Sequence, residues 1–174
     1  MPFAKGFPTP SGKARIYDED LIAFGMDPVA SFVPPEESRH NSAKGPYPLE
    51  LLARKADNFL NSTFVNLPSH QKMEPRQDEL EISREDARAR GIADGDGVRV
   101  FNERGEIFLR ARVDGSVQTG VVGARLGWAK LSQRGVNVNV LTSARLTDLG
   151  GGATFYSTLV EVERVAATST GSVG

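Results

Sequence analysis

The 174 residues carry 21 Lys and Arg against 22 Asp and Glu, a net charge of -1, with 39% hydrophobic residues and no cysteine. That composition suits an ordinary globular domain with appendages and excludes disulfides, thiolate metal ligands and cysteine nucleophiles. The balanced charge gives no ground for a nucleic-acid or anionic-membrane partner, and no run approaches the ~20 apolar residues of a membrane span.

Residues 1–46 read as an extended arm. Pro2, Pro8, Pro10, Pro28, Pro34, Pro35 and Pro46 each remove a backbone donor. Residues 14–17 have the makeup of a short strand, and 18–24 of one or two helical turns ended by Gly25. Phe3, Phe7, Ile16, Phe24 and Phe32 would anchor the arm on a neighbouring surface; a disordered tail is the plainer alternative.

Residues 47–165 carry the folded domain. Leu49 to Leu52 is an apolar run of buried-strand type. The loop after it, 53–64, is dense in hydrogen-bonding groups. Asn58, Asn61, Ser62 and Thr63 could face a polar ligand, and Arg54 and Lys55 could face phosphate oxygens. The same residues equally make caps and turns. Phe64 to Leu67 suggests a strand stub, and His70 a solvated loop residue without a partner at metal-ligand spacing.

From Leu80 to Trp128 the pattern is strand, helix, strand, hairpin, strand, turn, strand. Ser83 followed by Asp86 sketches a capping box, the helix runs over 84–90, and Gly91 closes it. Val98 and Val100 alternate with Arg99 and Phe101. Residues 102–105 close a hairpin, with Gly105 expected at positive φ. Trp128 reads as core or as a ligand platform. The Asn-Val alternation of 135–142 puts Asn137 and Asn139 on one side of an edge strand, facing a base edge, a ribose or solvent. Gly150, Gly151 and Gly152 suggest a close backbone approach, 155–165 a final strand, and 166–174 a flexible tail. No catalytic constellation or phosphate loop of the Walker type is present.

The segments just named resemble, in order, the C-terminal molybdopterin dinucleotide-binding domain of the dimethyl sulfoxide reductase family. They are 7–13, the 54–63 loop, Ile82-Ser83-Arg84-Glu85-Asp86-Ala87 with Gly91-Ile92 and Asp94-Gly95-Asp96, 98–105, Gly120-Val121-Val122, Gly127-Trp128, 139–142 and Asp148. The resemblance implies a mainly β fold with short helices, a six-stranded double-psi β-barrel preceded by the arm. It implies a partial site for molybdopterin guanine dinucleotide, with molybdenum or tungsten, in which the domain supplies binding and orientation. Carried over by position, Arg54, Asn58, Asn61, Ser62 and Thr63 would approach a pterin or its phosphates. Trp128, Asn139, Thr142 and Asp148 would line the other part of the cleft. Asn58 and Leu60 stand where many relatives carry histidines. The partners implied are the remaining domains of a parent oxidoreductase, and the chain alone is expected to be an inactive fragment. The competing expectation is a free-standing barrel used for protein interaction or substrate recognition.

Overall fold

The computed structural model describes residues 2–41, 45–127 and 136–165. The chain divides into two units, Met1–Pro34 and Pro35–Gly174. Residues 35–41, expected within the arm, thus fall with the second unit, where the Arg104 guanidinium grips the Glu37 carboxylate at 2.7 and 2.9 Å.

In the first unit, a 3-10 helix over Glu19–Phe24 is capped by the Asp18 carboxylate, which accepts from the Asp20 N–H, and ends at Gly25 with φ 71°. The expected strand reduces to one bridge between Tyr17 and Val29. Phe3 and Phe7 stack on each other at 4.9 Å.

The second unit is the expected six-stranded closed double-psi barrel. Its strands are β1 (Leu49–Arg54), β2 (Glu79–Ile82), β3 (Gly97–Asn102), β4 (Gly105–Arg112), β5 (Val121–Arg125) and β6 (Leu159–Arg164). They close in the order β1-β5-β2-β4-β3-β6. The pairs β1–β5 and β2–β4 are parallel; the other four are antiparallel. Closure leaves no sheet edge.

Period-two alternation makes the core. In β3, Val98, Val100 and Asn102 point inward while Arg99 and Phe101 stay half-buried. The inward set from the ring, including Leu51, Leu80, Ile82, Val100, Ile107, Val122 and Val162, forms one apolar cluster with Leu141. On the outer face Arg99 bridges to Glu106 of β4 at 2.6 Å and Glu163 of β6 at 3.2 Å, and lies 3.9 Å over the Phe101 ring.

Two α-helices belong to this unit among the described residues. α1 (Pro68–Met73) starts at a proline and buries no residue; it occupies the stretch expected to be a loop around His70. α2 (Arg84–Ala89) follows the expected box in part: Ser83 Oγ accepts from the Asp86 N–H at 3.0 Å and donates to Asp86 Oδ2 at 2.6 Å. That carboxylate also accepts from the Gly120 N–H at 2.8 Å, which ties the helix to the turn before β5.

Three further expectations are corrected. Gly105 is not at positive φ. A Cβ there would lie 2.5 Å from Val140 Cγ2, so it is close approach that requires a glycine. The Asn-Val stretch is no strand: Val138–Leu141 is a 3-10 helix, with the Asn137 carbonyl oxygen Oδ1 capping it at the Asn139 N–H. The triple glycine folds back on its own chain, since Gly152 N–H donates to Thr147 Oγ1 at 2.8 Å beside a Leu146–Ala153 bridge.

Candidate functional site

The parallel strands β1 and β5 run in register to Arg54 opposite Arg125, and the Leu126 N–H closes the pair on the Arg54 carbonyl at 2.6 Å. Beyond these C-terminal ends the two chains diverge and open a cleft of about 400 Å³. Lys55, Asn61 and Ser62 form one wall, Leu126 and Gly127 the base, and Asn137, Val138, Asn139, Phe155 and Tyr156 the other side.

The first wall is a tight turn. Leu60 and Thr63 exchange backbone hydrogen bonds at 3.2 and 2.8 Å, which leaves Asn61 and Ser62 at the tip. Asn61 takes φ 52° and Phe64 φ 70°; the first is easy for asparagine, the second is costly for a bulky side chain. Lys55 Nζ donates to Asn61 Oδ1 at 2.8 Å and fixes that amide.

Beneath the turn sits Glu74, whose side chain is only 3% exposed. Its Oε2 accepts from Asp57 N–H at 3.0 Å, Asn58 N–H at 3.1 Å and Asn58 Nδ2 at 2.9 Å, and its Oε1 pairs with Arg125. Arg125 also reaches Asp57 at 3.0 Å. Burial works against this guanidinium's charge. The hydrogen bond to Asp57 and the fields of Glu74, Asp57 and Glu81 outweigh it and raise the pKa. A buried acid is tolerable here because both its oxygens are met by donors.

The second wall hangs from one carbonyl. Leu141 O accepts from Asn102 Nδ2 at 2.9 Å and Arg104 Nε at 2.8 Å, so the β3–β4 hairpin holds the 3-10 turn that carries Asn137 and Asn139. Phe155 and Tyr156 pack at 4.4 Å, tilted by 47°, at the far side.

Of the residues singled out from the sequence, Lys55, Asn61, Ser62, Asn137 and Asn139 line this cleft. Arg54 is instead paired with Glu81 of β2 on the barrel wall, where Gly123 leaves room for that carboxylate: a Cβ there would lie 2.6 Å from Glu81 Oε2. Asn58 spends its amide on Glu74 and on the Met73 carbonyl. Thr63 closes the turn, and Thr142 Oγ1 donates to the Asn139 carbonyl at 2.9 Å. Asp148 accepts from the neighbouring Leu149 N–H, and Trp128 lies outside the described residues. Sequence reasoning passed over Phe155 and Tyr156, which it placed in the last strand. Their signal was two adjacent aromatics after a glycine run, which no alternating strand needs. Among the described residues no group of three or more His, Asp or Glu is placed to hold a metal ion, and no helix is long and apolar enough to cross a membrane.

Known proteins bear on this geometry. Residues 49–159 match the family model described as "Molydopterin dinucleotide binding domain". The chain is 39% identical over 163 residues to the probable oxidoreductase YoaE of Bacillus subtilis, covering 94% of this chain and 23% of that protein. To the dimethyl sulfoxide reductase DmsA of Escherichia coli it is 35% identical, covering 94% of this chain and 22% of the relative. The acetylene hydratase of Pelobacter acetylenicus shares the fold at a TM-score of 0.71 and 20% identity, over 92% of this chain and 24% of that one. The chain therefore spans between a fifth and a quarter of the length of these proteins. With its six-stranded barrel and the match over residues 49–159, the chain belongs to the molybdopterin dinucleotide-binding domain family.

Proposed function

We propose that this chain holds molybdopterin guanine dinucleotide in the cleft beyond β1 and β5, as the binding part of a longer molybdenum or tungsten oxidoreductase. The observation that carries the reading is the position of the cleft: both its walls lie within the matched residues, at the ends of the parallel strands. Its donor set fits such a ligand. About 400 Å³ is in the range of small-molecule sites, amides face it from both walls, a cation stands on one side, and an aromatic pair offers ring faces on the other.

When bound, the dinucleotide's pterin dithiolene supplies the metal and the redox chemistry. The chain's own part is to bind and orient. Asn61 and Ser62 are presented by the turn that Glu74 supports, and Asn137 and Asn139 by the turn hung from Asn102 and Arg104. Substrate contacts and the side chain on the metal belong, in this reading, to the remaining domains, so the chain alone is inactive.

The test is a two-dimensional amide NMR titration with GDP. Saturable shifts confined to 54–63 and 126–142 are expected. A dispersed spectrum unmoved at millimolar GDP would remove the dinucleotide reading and favour a barrel used for protein interaction.

A further inference from the structure

We propose that residues 36–39 form a strap that sets the position of the cleft's second wall, with Glu37 as its positioning residue acting through Arg104. The strap stands on its own contacts; its effect on a ligand rests on the cofactor-binding reading above.

The second wall depends on how the Arg104 guanidinium is aimed. That plane is a rigid fork of five donors, and one of them, Nε, holds the carbonyl of the buried Leu141 at 2.8 Å. Its Nη1 and Nη2 donate to the two oxygens of Glu37 at 2.9 and 2.7 Å. With one edge gripped at both nitrogens, the direction of Nε follows from the position of Glu37. The two side chains are 24% and 22% exposed, so the pair escapes much of the screening that weakens open surface pairs. Glu103 also accepts from Nη1, at 2.7 Å, but it is 56% exposed and reaches one nitrogen only.

The other end of the strap is tied to the strands behind the first wall. Arg39 Nε lies 3.2 Å from Glu50 Oε2 of β1, and its Nη1 donates to the Thr119 carbonyl, just before β5, at 3.1 Å. Between the two ends Ser38 is buried. A turn stiffens this stretch: the Asn41 N–H donates to the Ser38 carbonyl at 2.9 Å, and Asn41 Nδ2 to the Glu36 carbonyl at 3.0 Å. Glu36 pairs with Arg145, a few residues past Leu141. β1 and β5 lead into the first wall and the base of the cleft, while Arg104 holds the second wall. The strap thus joins the supports of both walls and fixes the spacing between them.

Amide NMR on the full chain tests this, at a temperature where urea titration shows every variant folded. Glu37→Gln keeps the shape and removes the charge. It is expected to shift 137–142, to introduce exchange there on the microsecond-to-millisecond scale, and to weaken GDP about fivefold. Glu103→Gln, which takes an acid from the same guanidinium but leaves the strap attached, is expected to do none of these. Glu37→Gln shifts confined to 36–38 and 104, or unaltered affinity in a chain that binds GDP, would overturn the proposal. A merely stabilising ion pair would leave both untouched in the folded chain. Equal effects from Glu103→Gln would overturn it too, because the charge around Arg104, and not the strap, would then aim it. Failure of the unsubstituted chain to bind GDP would instead strike the cofactor-binding reading, and the exchange at 137–142 would still decide the strap.

Discussion

Glu74→Gln is the substitution that most directly probes how the cleft's first wall is held. The carboxylate is 3% exposed and meets two backbone N–H groups, the Asn58 amide and the Arg125 guanidinium. Glutamine keeps one acceptor oxygen but places an NH2 against a cluster of donors and leaves Arg125 without its buried counter-charge. Breaking a buried pair from one side costs about 3–5 kcal/mol. Asp57 still reaches Arg125 at 3.0 Å, which puts the expected loss near the lower end, about 3 kcal/mol. With a urea slope of about 2 kcal/mol per molar, the midpoint should fall by about 1.5 M with the slope unchanged. Amide shifts should spread over 57–63 and affinity for GDP should drop. Pairing Glu74→Met with Arg125→Met should recover part of the stability, because an apolar pair of similar volume removes both buried charges. A midpoint shift below about 0.3 M in Glu74→Gln would refute the placement of Glu74 as a buried anchor.

Other substitutions test other joints. Gly105→Ala forces a methyl to within 2.5 Å of Val140 Cγ2; a loss of about 1–3 kcal/mol is expected, with shifts at 137–142, and a loss under about 0.5 kcal/mol would mean the hairpin is not packed on that turn. Gln77 is 6% exposed and neither amide atom has a partner among the described residues; Gln77→Leu should relieve about 1 kcal/mol of unmet hydrogen bonding and raise Tm by about 2–4 °C, whereas a lower Tm would mean the amide is satisfied in solution. Asp96 is held below the ordinary aspartate pKa, chiefly by the Ala93 N–H and then by Arg164. Its contribution should be complete above about pH 4 and be lost as pH falls through the depressed value. Asp96→Asn should flatten that acid limb, read by urea midpoints against pH; an unchanged limb would remove Asp96 from it.

The barrel was legible in the sequence because its strands announce themselves. Val98 and Val100 alternate with Arg99 and Phe101 between Asp-Gly and Arg-Gly turns, and Ser83 with Gly91 brackets the helix. The same period misled at 135–142, where Asn137 is a helix cap and Val138 and Leu141 point inward three residues apart. α1 was missed because a helix that buries no residue has no apolar face to reveal it. Gly105 was read for its own backbone, while its true constraint is Val140, a neighbour only in space. The candidate site was half legible for the same reason. Asn61 and Ser62 stand in an evidently polar loop. Whether Arg54 and Asn58 turn toward a ligand depended on Glu81 and Glu74, acids with no periodic signal whose burial makes sense only once the fold has brought their donors to them.

The order of strands in the ring also bears on how the chain acquires its structure. β1 and β6 are the first and last strands in sequence, yet they are neighbours, joined over only two register pairs, Leu49 with Val160 and Glu50 with Leu159. The ring therefore cannot shut until nearly all of the second unit has been synthesised, and its closing contact bridges the longest separation in the barrel. Such non-local pairing makes folding slow, because loop-closure entropy is lost before any contact compensates for it. Until β6 arrives, β1 and β3 expose unpaired backbone of the kind that recruits other chains. Production of this domain should thus depend on temperature and expression rate far more than its finished, edgeless barrel would suggest.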